Sequence, residues 1–352
     1  MLPPDFNLIP PLLDWLWRSW TSLSISGHGG TTRADRVIDP EALVLASTLW
    51  ARYDARLFDE MLDWLCLNGS LVNLQRLSNL HRTGLGDADV LSAIAAIVQK
   101  SSQHTKWKVL AGKSGSTQDL APLFLSLDGN SGSWGDAEPG FAAHGFHRGK
   151  LELRQMSQIP DPGLAPNLWL KLRSLFGTST RAEIMLQLLT TGPATAGEIA
   201  RRSGFSARSI LVALREMAQS GHILEPPRQV RERPRRGQAP AVRTRGSSLP
   251  YSLRTEEWSF LRTWSEPVGF PALRSPGPLL LLCQKVLQCL DEEKPGAPSV
   301  TRSLRLREAT ADALADVHRQ GFSSDYGLPA QLAGGNFAST LATRLQAAIA
   351  SL

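Results

Sequence analysis

Seven arginines crowd into one short stretch of this chain. Between Pro226 and Ser247 lie Arg228, Arg231, Arg233, Arg235, Arg236, Arg243 and Arg245, with a single acid, Glu232, among them. A guanidinium is always charged and offers paired N–H donors in a planar fork, the geometry that phosphate oxygens accept. The whole chain has 38 Lys+Arg against 32 Asp+Glu, a net +6. Seven charges against one leave the same +6, so the remainder of the chain balances to zero. A basic run by itself is only a solvated loop, and its neighbours decide whether it meets a polyanion.

The other chemistry-bearing residues point nowhere in common. Ala111-Gly112-Lys113-Ser114 has the end of a phosphate-binding loop. The glycine that the loop needs five positions before Gly112 is Trp107, which excludes it. His144 and His147 lie three apart in a glycine-rich stretch with no cysteine or carboxylate near enough to complete a metal site. Cys283 and Cys289 fall on an apolar helix and read as core residues. The acids Asp54, Asp59, Glu60 and Asp63 alternate with Leu57, Phe58, Leu62 and Trp64 and read as the solvated face of a helix. Serine-nucleophile motifs are absent. The sequence therefore predicts a protein that is not an enzyme and that needs no cofactor or metal.

The elements before the arginines give them a setting. Thr180-Arg181-Ala182-Glu183 has capping-box spacing and opens a helix that Gly192-Pro193 stops. Thr195-Ala196-Gly197-Glu198 is a second capping box, starting a short helix that ends at Gly204. Ser206 caps a third helix, over 206–220, through Ile210, Leu211, Leu214 and Met217, stopping near Gly221. About three residues separate the second and third helices, which is helix-turn-helix spacing. His222-Ile223-Leu224 and Leu249-Pro250-Tyr251-Ser252-Leu253 then flank the arginines as two arms of a β-hairpin.

The run from Thr195 through Ile199-Ala200-Arg201-Arg202-Ser203-Gly204-Phe205 to Ser206-Ala207-Arg208-Ser209-Ile210, followed by Gly221-His222-Ile223-Leu224-Glu225, resembles the winged helix-turn-helix of bacterial transcription regulators of the MarR, ArsR and IclR kind. That resemblance covers about 75 residues, and the wing departs from the usual in being longer and richer in arginine and proline. It implies a third helix lying in the DNA major groove, with Ala207, Arg208, Ser209 and Val212 nearest the base edges. Arg208 suits bidentate readout of guanine. Arg201 and Arg202 would meet the DNA backbone, the helix starts at Thr195 and Ser206 would bind phosphate through N–H groups, and the wing arginines would hold phosphates or a narrow minor groove.

The flanks read as helical. Asp39-Pro40-Glu41 and Asp54 start helices, Asn68-Gly69 reads as a C-cap, and 87–99 is an Ala/Val/Ile helix. Trp15, Trp17 and Trp20 mark an amphipathic helix before them. The fold expected is mainly α: an N-terminal helical domain (1–108), a Gly/Ser-rich connector with short strands near 123–127 and 151–153 (109–165), a winged helix-turn-helix with a small hairpin wing (166–262), and a C-terminal helical domain (263–352). Asp39-Pro40-Glu41-Ala42-Leu43, the run Asp54 to Leu65, Asn68-Gly69, Gln75-Arg76-Leu77 and Leu170 to Gly177 resemble prokaryotic regulators found beside nucleotidyltransferase toxins. That resemblance implies an antitoxin or autoregulator, a repressor with a toxin partner. A sequence-indifferent nucleic-acid scaffold is the third alternative.

Length and composition fit. With 352 residues, 42% of them hydrophobic and 20% charged, the chain has the make-up of a globular protein of two or three domains. Three cysteines without a Cys-x-x-Cys pair predict a reducing cytoplasm. No basic segment precedes the first apolar residues, and no apolar run reaches membrane-spanning length, so neither a signal peptide nor a membrane partner is expected. The expected partner is double-stranded DNA. A homodimer through the terminal helices would set two recognition helices about one DNA turn apart.

Overall fold

A computed structural model describes residues 6–27, 29–101, 104–112, 119–127, 135–225, 250–265, 269–292, 299–319, 328 and 337–352. The chain is mainly helical. In order the helices are α1 (Ile9–Ser22), α2 (Pro40–Trp50), α3 (Ala55–Asn68), α4 (Leu74–His81), α5 (Ala88–Ser101), α6 (Pro139–Ala142), α7 (Leu168–Phe176), α8 (Thr180–Thr191), α9 (Ala196–Ser203), α10 (Ala207–Ala218), α11 (Gly277–Asp291), α12 (Ser299–Arg319) and α13 (Phe337–Ser351). Among the described residues four two-residue strands accompany them: β1 (Ala121–Pro122), β2 (Phe146–His147), β3 (Ile223–Leu224) and β4 (Ser252–Leu253). No described helix is long and apolar enough to cross a membrane.

The chain divides into two compact units, not the four consecutive segments expected. One comprises Met1–Arg33, Ile38–Asp161 and Arg274–Leu352; the other comprises Ala34–Val37 and Pro162–Leu273. The C-terminal helices belong to the first unit because they supply part of its core: α1 packs against α13, and the Gly86 N–H donates to Gln284 of α11 at 3.1 Å. Cys283 of α11 is fully buried, and burial pushes its thiol well above the ordinary value, so it remains a protonated core residue.

Caps start the helices of this unit. Asp39 accepts from the Ala42 N–H at 3.1 Å, and Asp54 accepts from the Arg56 and Leu57 N–H groups at 3.1 Å. Asp87 does the same for Asp89 and Val90 ahead of α5. Three tryptophans of the core between them donate through the indole N–H: Trp20 to Ser47, Trp64 to the Leu23 carbonyl, Trp107 to the Gly69 carbonyl. Gly69 is not the left-handed cap its position suggested. Its φ is −58°, the chain continues into a 3₁₀ turn, and a Cβ there would stand 2.9 Å from the Trp107 ring nitrogen. Close approach of the tryptophan, not the turn, demands glycine.

The acids on α3 also depart from expectation. Glu60 and Asp63 are buried, not solvated. Asp63 accepts from the backbone N–H groups of Gln155 and Ser157, each at 2.9 Å, and Asp59 receives both terminal nitrogens of Arg148 at 2.6 and 3.0 Å. These carboxylates fasten the glycine-rich connector to α3. The expected strand at 151–153 is not formed; there the Leu151 N–H donates to the Glu138 carboxylate at 3.1 Å. The segment near 123–127 likewise bonds to Arg52, whose Nε donates to the Leu123 carbonyl at 2.8 Å, while β1 pairs in parallel with β2 through Ala121↔Phe146.

A buried charge cluster holds the start of α2 to α4. Arg76 donates to Asp39 at 2.5 and 2.6 Å and to Glu41 at 2.8 Å; Ser275 donates to Asp39, and Glu41 accepts from the Asn73 N–H at 2.7 Å. All three charged side chains are 0–3% exposed. Burial pushes the Asp39 carboxyl up, but the Arg76 charge and the hydrogen bonds from Arg76, Ser275 and Ala42 outweigh it and hold it below its ordinary value. Its stabilising contribution is therefore complete above about pH 4 and is lost as pH falls through the folded value. Arg76→Ala should cost about 3–5 kcal/mol, since two carboxylates then lie buried without their cation. Urea unfolding at neutral and acid pH checks both statements: the variant's deficit against the native protein is full at neutral pH and shrinks as pH falls through the carboxylate range.

Candidate nucleic-acid interface

Unit two is built on α7 to α10. Leu168, Leu172, Ile184, Met185, Leu188, Ile199, Ile210, Leu214, Ile223 and Tyr251 form its core. At the centre Arg173 and Glu183 are both fully buried, with Nη2 donating to Oε1 at 2.8 Å, and the Trp169 ring N–H meets the same oxygen at 3.1 Å. Glu183 therefore closes no capping box. Ser179 is the N-cap of α8 and makes no side-chain capping bond. The Thr–Glu spacing matched, but an inward-facing glutamate beside a buried arginine has a stronger partner than a backbone N–H.

The second capping box is real. Thr195 Oγ1 accepts from the Glu198 N–H at 3.2 Å, and the Glu198 carboxylate accepts from the Thr195 N–H at 2.8 Å. The backbone N–H of Thr195, then its hydroxyl, hold the Glu198 carboxyl below its ordinary value. The start of α9 is thus already filled by an anion of the chain itself. Helix α9 ends at Gly204, whose φ of 77° lies in the left-handed region that glycine adopts without a side-chain clash. Phe205 packs on the core, and Ser206 caps α10 by accepting from the Ser209 N–H at 3.0 Å. The first turn of α10 carries no acidic residue.

Burial along α10 is one-sided. Ile210, Ala213 and Leu214 face the core, while Arg208, Val212, Arg215 and Gln219 are exposed at spacings of four, three and four residues. That stripe lies directly opposite the core. Ala207 and Ser209 flank it, exposed, and the Ser209 hydroxyl bonds Ser206 at 2.8 Å. Among the described residues neither Arg208 nor Arg215 has an acidic partner; the nearby Glu216 is taken by Arg181 at 2.5 Å. On α9, Arg201 and Arg202 are both exposed, and Arg202 donates to Gln187 at 3.1 Å and Thr191 at 3.3 Å on α8.

Beyond α10, β3 pairs antiparallel with β4 through Ile223↔Leu253, and Tyr251 exchanges backbone bonds with Ala194 at 2.9 and 3.0 Å. His222 and Glu257 meet at 2.7 Å just outside this sheet, a contact with no sequence signal because it spans 35 residues. Arg228, Arg231, Arg233, Arg235, Arg236, Arg243 and Arg245 lie outside the described residues. Only their bases are placed: the stretch leaves from Glu225 and returns at Pro250, next to the paired strands. Among the described residues no three His, Cys, Asp or Glu side chains gather as metal ligands would.

Comparison with protein-family models, with curated proteins and with solved structures finds no match to this chain.

Ser206→Ala removes the acceptor for one of the orphan N–H groups of α10 and should lower the stability of this unit by about 1 kcal/mol, with Ser206→Gly costing less. Chemical unfolding followed by tryptophan fluorescence checks the order of the two.

Proposed function

We propose that the chain is a DNA-binding transcription regulator, a repressor of winged helix-turn-helix type. One observation carries this: Arg208, Val212 and Arg215 form an exposed stripe on the face of α10 opposite its core, without acidic partners among the described residues, on a helix whose N-terminus also lacks acids. Helix α10 enters the major groove with Arg208 toward a guanine edge, and Ala207 and Ser209 lie close to the strand backbone. The α10 N-terminus, with its neutral Ser206 cap, suits a phosphate better than the α9 start, where the Glu198 carboxylate already lies on the Thr195 N–H. Arg201 faces outward for a backbone contact. Arg202, held by Gln187 and Thr191, contributes mainly to positioning α9.

The antiparallel pair β3–β4 is the base of the wing, and the seven arginines strung between its arms supply phosphate contacts. Affinity and specificity are then divided between two parts: charge in the wing, base edges on α10.

Two measurements test this. Binding of a selected duplex should weaken with salt along a log–log slope of about −5 if six wing arginines meet phosphates, at about −0.9 each. Arg208→Ala should cost about 1–3 kcal/mol on the selected duplex and little on unrelated DNA, relaxing preference at one base pair. Equal losses on every sequence would mean that the protein grips nucleic acid without reading it.

A further inference from the structure

Val212 is an unexpected residue in the middle of α10. It is 49% exposed on a helix whose other large apolar residues are buried or half-buried, and its β-branch makes it a poorer helix former than the Lys, Glu or Gln that usually fill such sites. Leu175 and Phe260 of the same unit are exposed as well, so the position of Val212 on α10, not its exposure, carries the argument. Arg208 stands one turn before it and Arg215 one turn after it on the same face, so a two-methyl group sits between two charged side chains.

Resting on the reading of α10 as a major-groove helix, we propose that Val212 is a specificity-determining residue that reads the 5-methyl group of a thymine close to the guanine met by Arg208. In the major groove the base edges offer hydrogen-bond donors and acceptors at every pair, but one apolar group only, the thymine methyl. A valine can make no hydrogen bond there. Placed against a polar edge it would strip water from donors without replacing it, and placed against a methyl it buries apolar surface. Four residues of helix advance about 6 Å, close to two base-pair steps of about 3.4 Å. The thymine therefore falls within about two pairs of the guanine. Arg215, a further turn on, lies over the next stretch of backbone.

The test uses the full chain and a duplex selected from a random pool. Each thymine in that duplex is replaced in turn by deoxyuridine, which deletes the methyl and leaves the pairing unchanged. Binding of the native protein should fall about four-fold at one position, the worth of one buried methyl-sized group. Val212→Ala, a surface change whose folding is checked by circular dichroism, should bind thymine and deoxyuridine duplexes equally at that position and keep its preference for the nearby guanine. Sequence-preferring binding in which no deoxyuridine matters, or in which Val212→Ala still senses it, overturns the proposal and leaves the DNA-reading role of α10 standing. Failure of the selection to enrich any sequence overturns that role, and the proposal with it.

Discussion

Arg173 and Glu183 are fully buried in the unit that carries α10, and Arg76 is enclosed with Asp39 and Glu41 in the other. A charge taken out of water is costly unless an opposite charge and good hydrogen-bond geometry replace the water. Each arginine therefore fixes where its acids must be, and each acid sits at or near the start of a helix. Glu183 lies in the first turn of α8 and ties it to Arg173 of α7; Asp39 and Glu41 open α2 and tie it to Arg76 of α4. Helix pairs locked in this way cannot slide by a turn without exposing an unpaired charge.

In unit two the consequence reaches the surface. With α7 and α8 locked, the apolar groove they leave accepts Ile199 of α9 and Ile210 and Leu214 of α10. Gly204 sets the angle between these two helices through a backbone conformation that a side chain would strain. Once Ile210 and Leu214 are turned inward, helical geometry sends Arg208, Val212 and Arg215 outward together. The proposed reading face is thus a by-product of core packing on the other side of the same helix, and its rigidity derives from that core.

Several local features were legible from the residues. The caps by Asp39, Asp54, Ser206 and Thr195 with Glu198, the end of α9 at Gly204, and the apolar stripe of α10 all involve partners within about one helical turn. Other features were not. Thr180-Arg181-Ala182-Glu183 had the spacing of a capping box, yet the glutamate went to Arg173, ten residues away. Asp59, Glu60 and Asp63 alternated with apolar residues as a wet helix face would, yet Arg148 and the N–H groups of Gln155 and Ser157 lay about ninety residues on and drew Asp59 and Asp63 to them. Spacing along a chain says which residues share a face. It does not say what another segment brings to that face.

The residues alone determined that the chain is mainly helical, where most helices begin, and that its surplus charge is confined to one stretch between residues 226 and 247. Those outcomes follow from local hydrogen bonds, side-chain periodicity and composition, which need no knowledge of distant contacts. Tertiary structure decided the rest: that α11 to α13 complete the core begun by α1, that acids expected in solvent are buried fasteners, and that Arg202 bonds to α8 while Arg208 faces outward. The physical reason is the same throughout. Burying a charge or a tryptophan is tolerable only when a specific partner arrives from elsewhere in the chain, and that arrival is a property of the folded molecule.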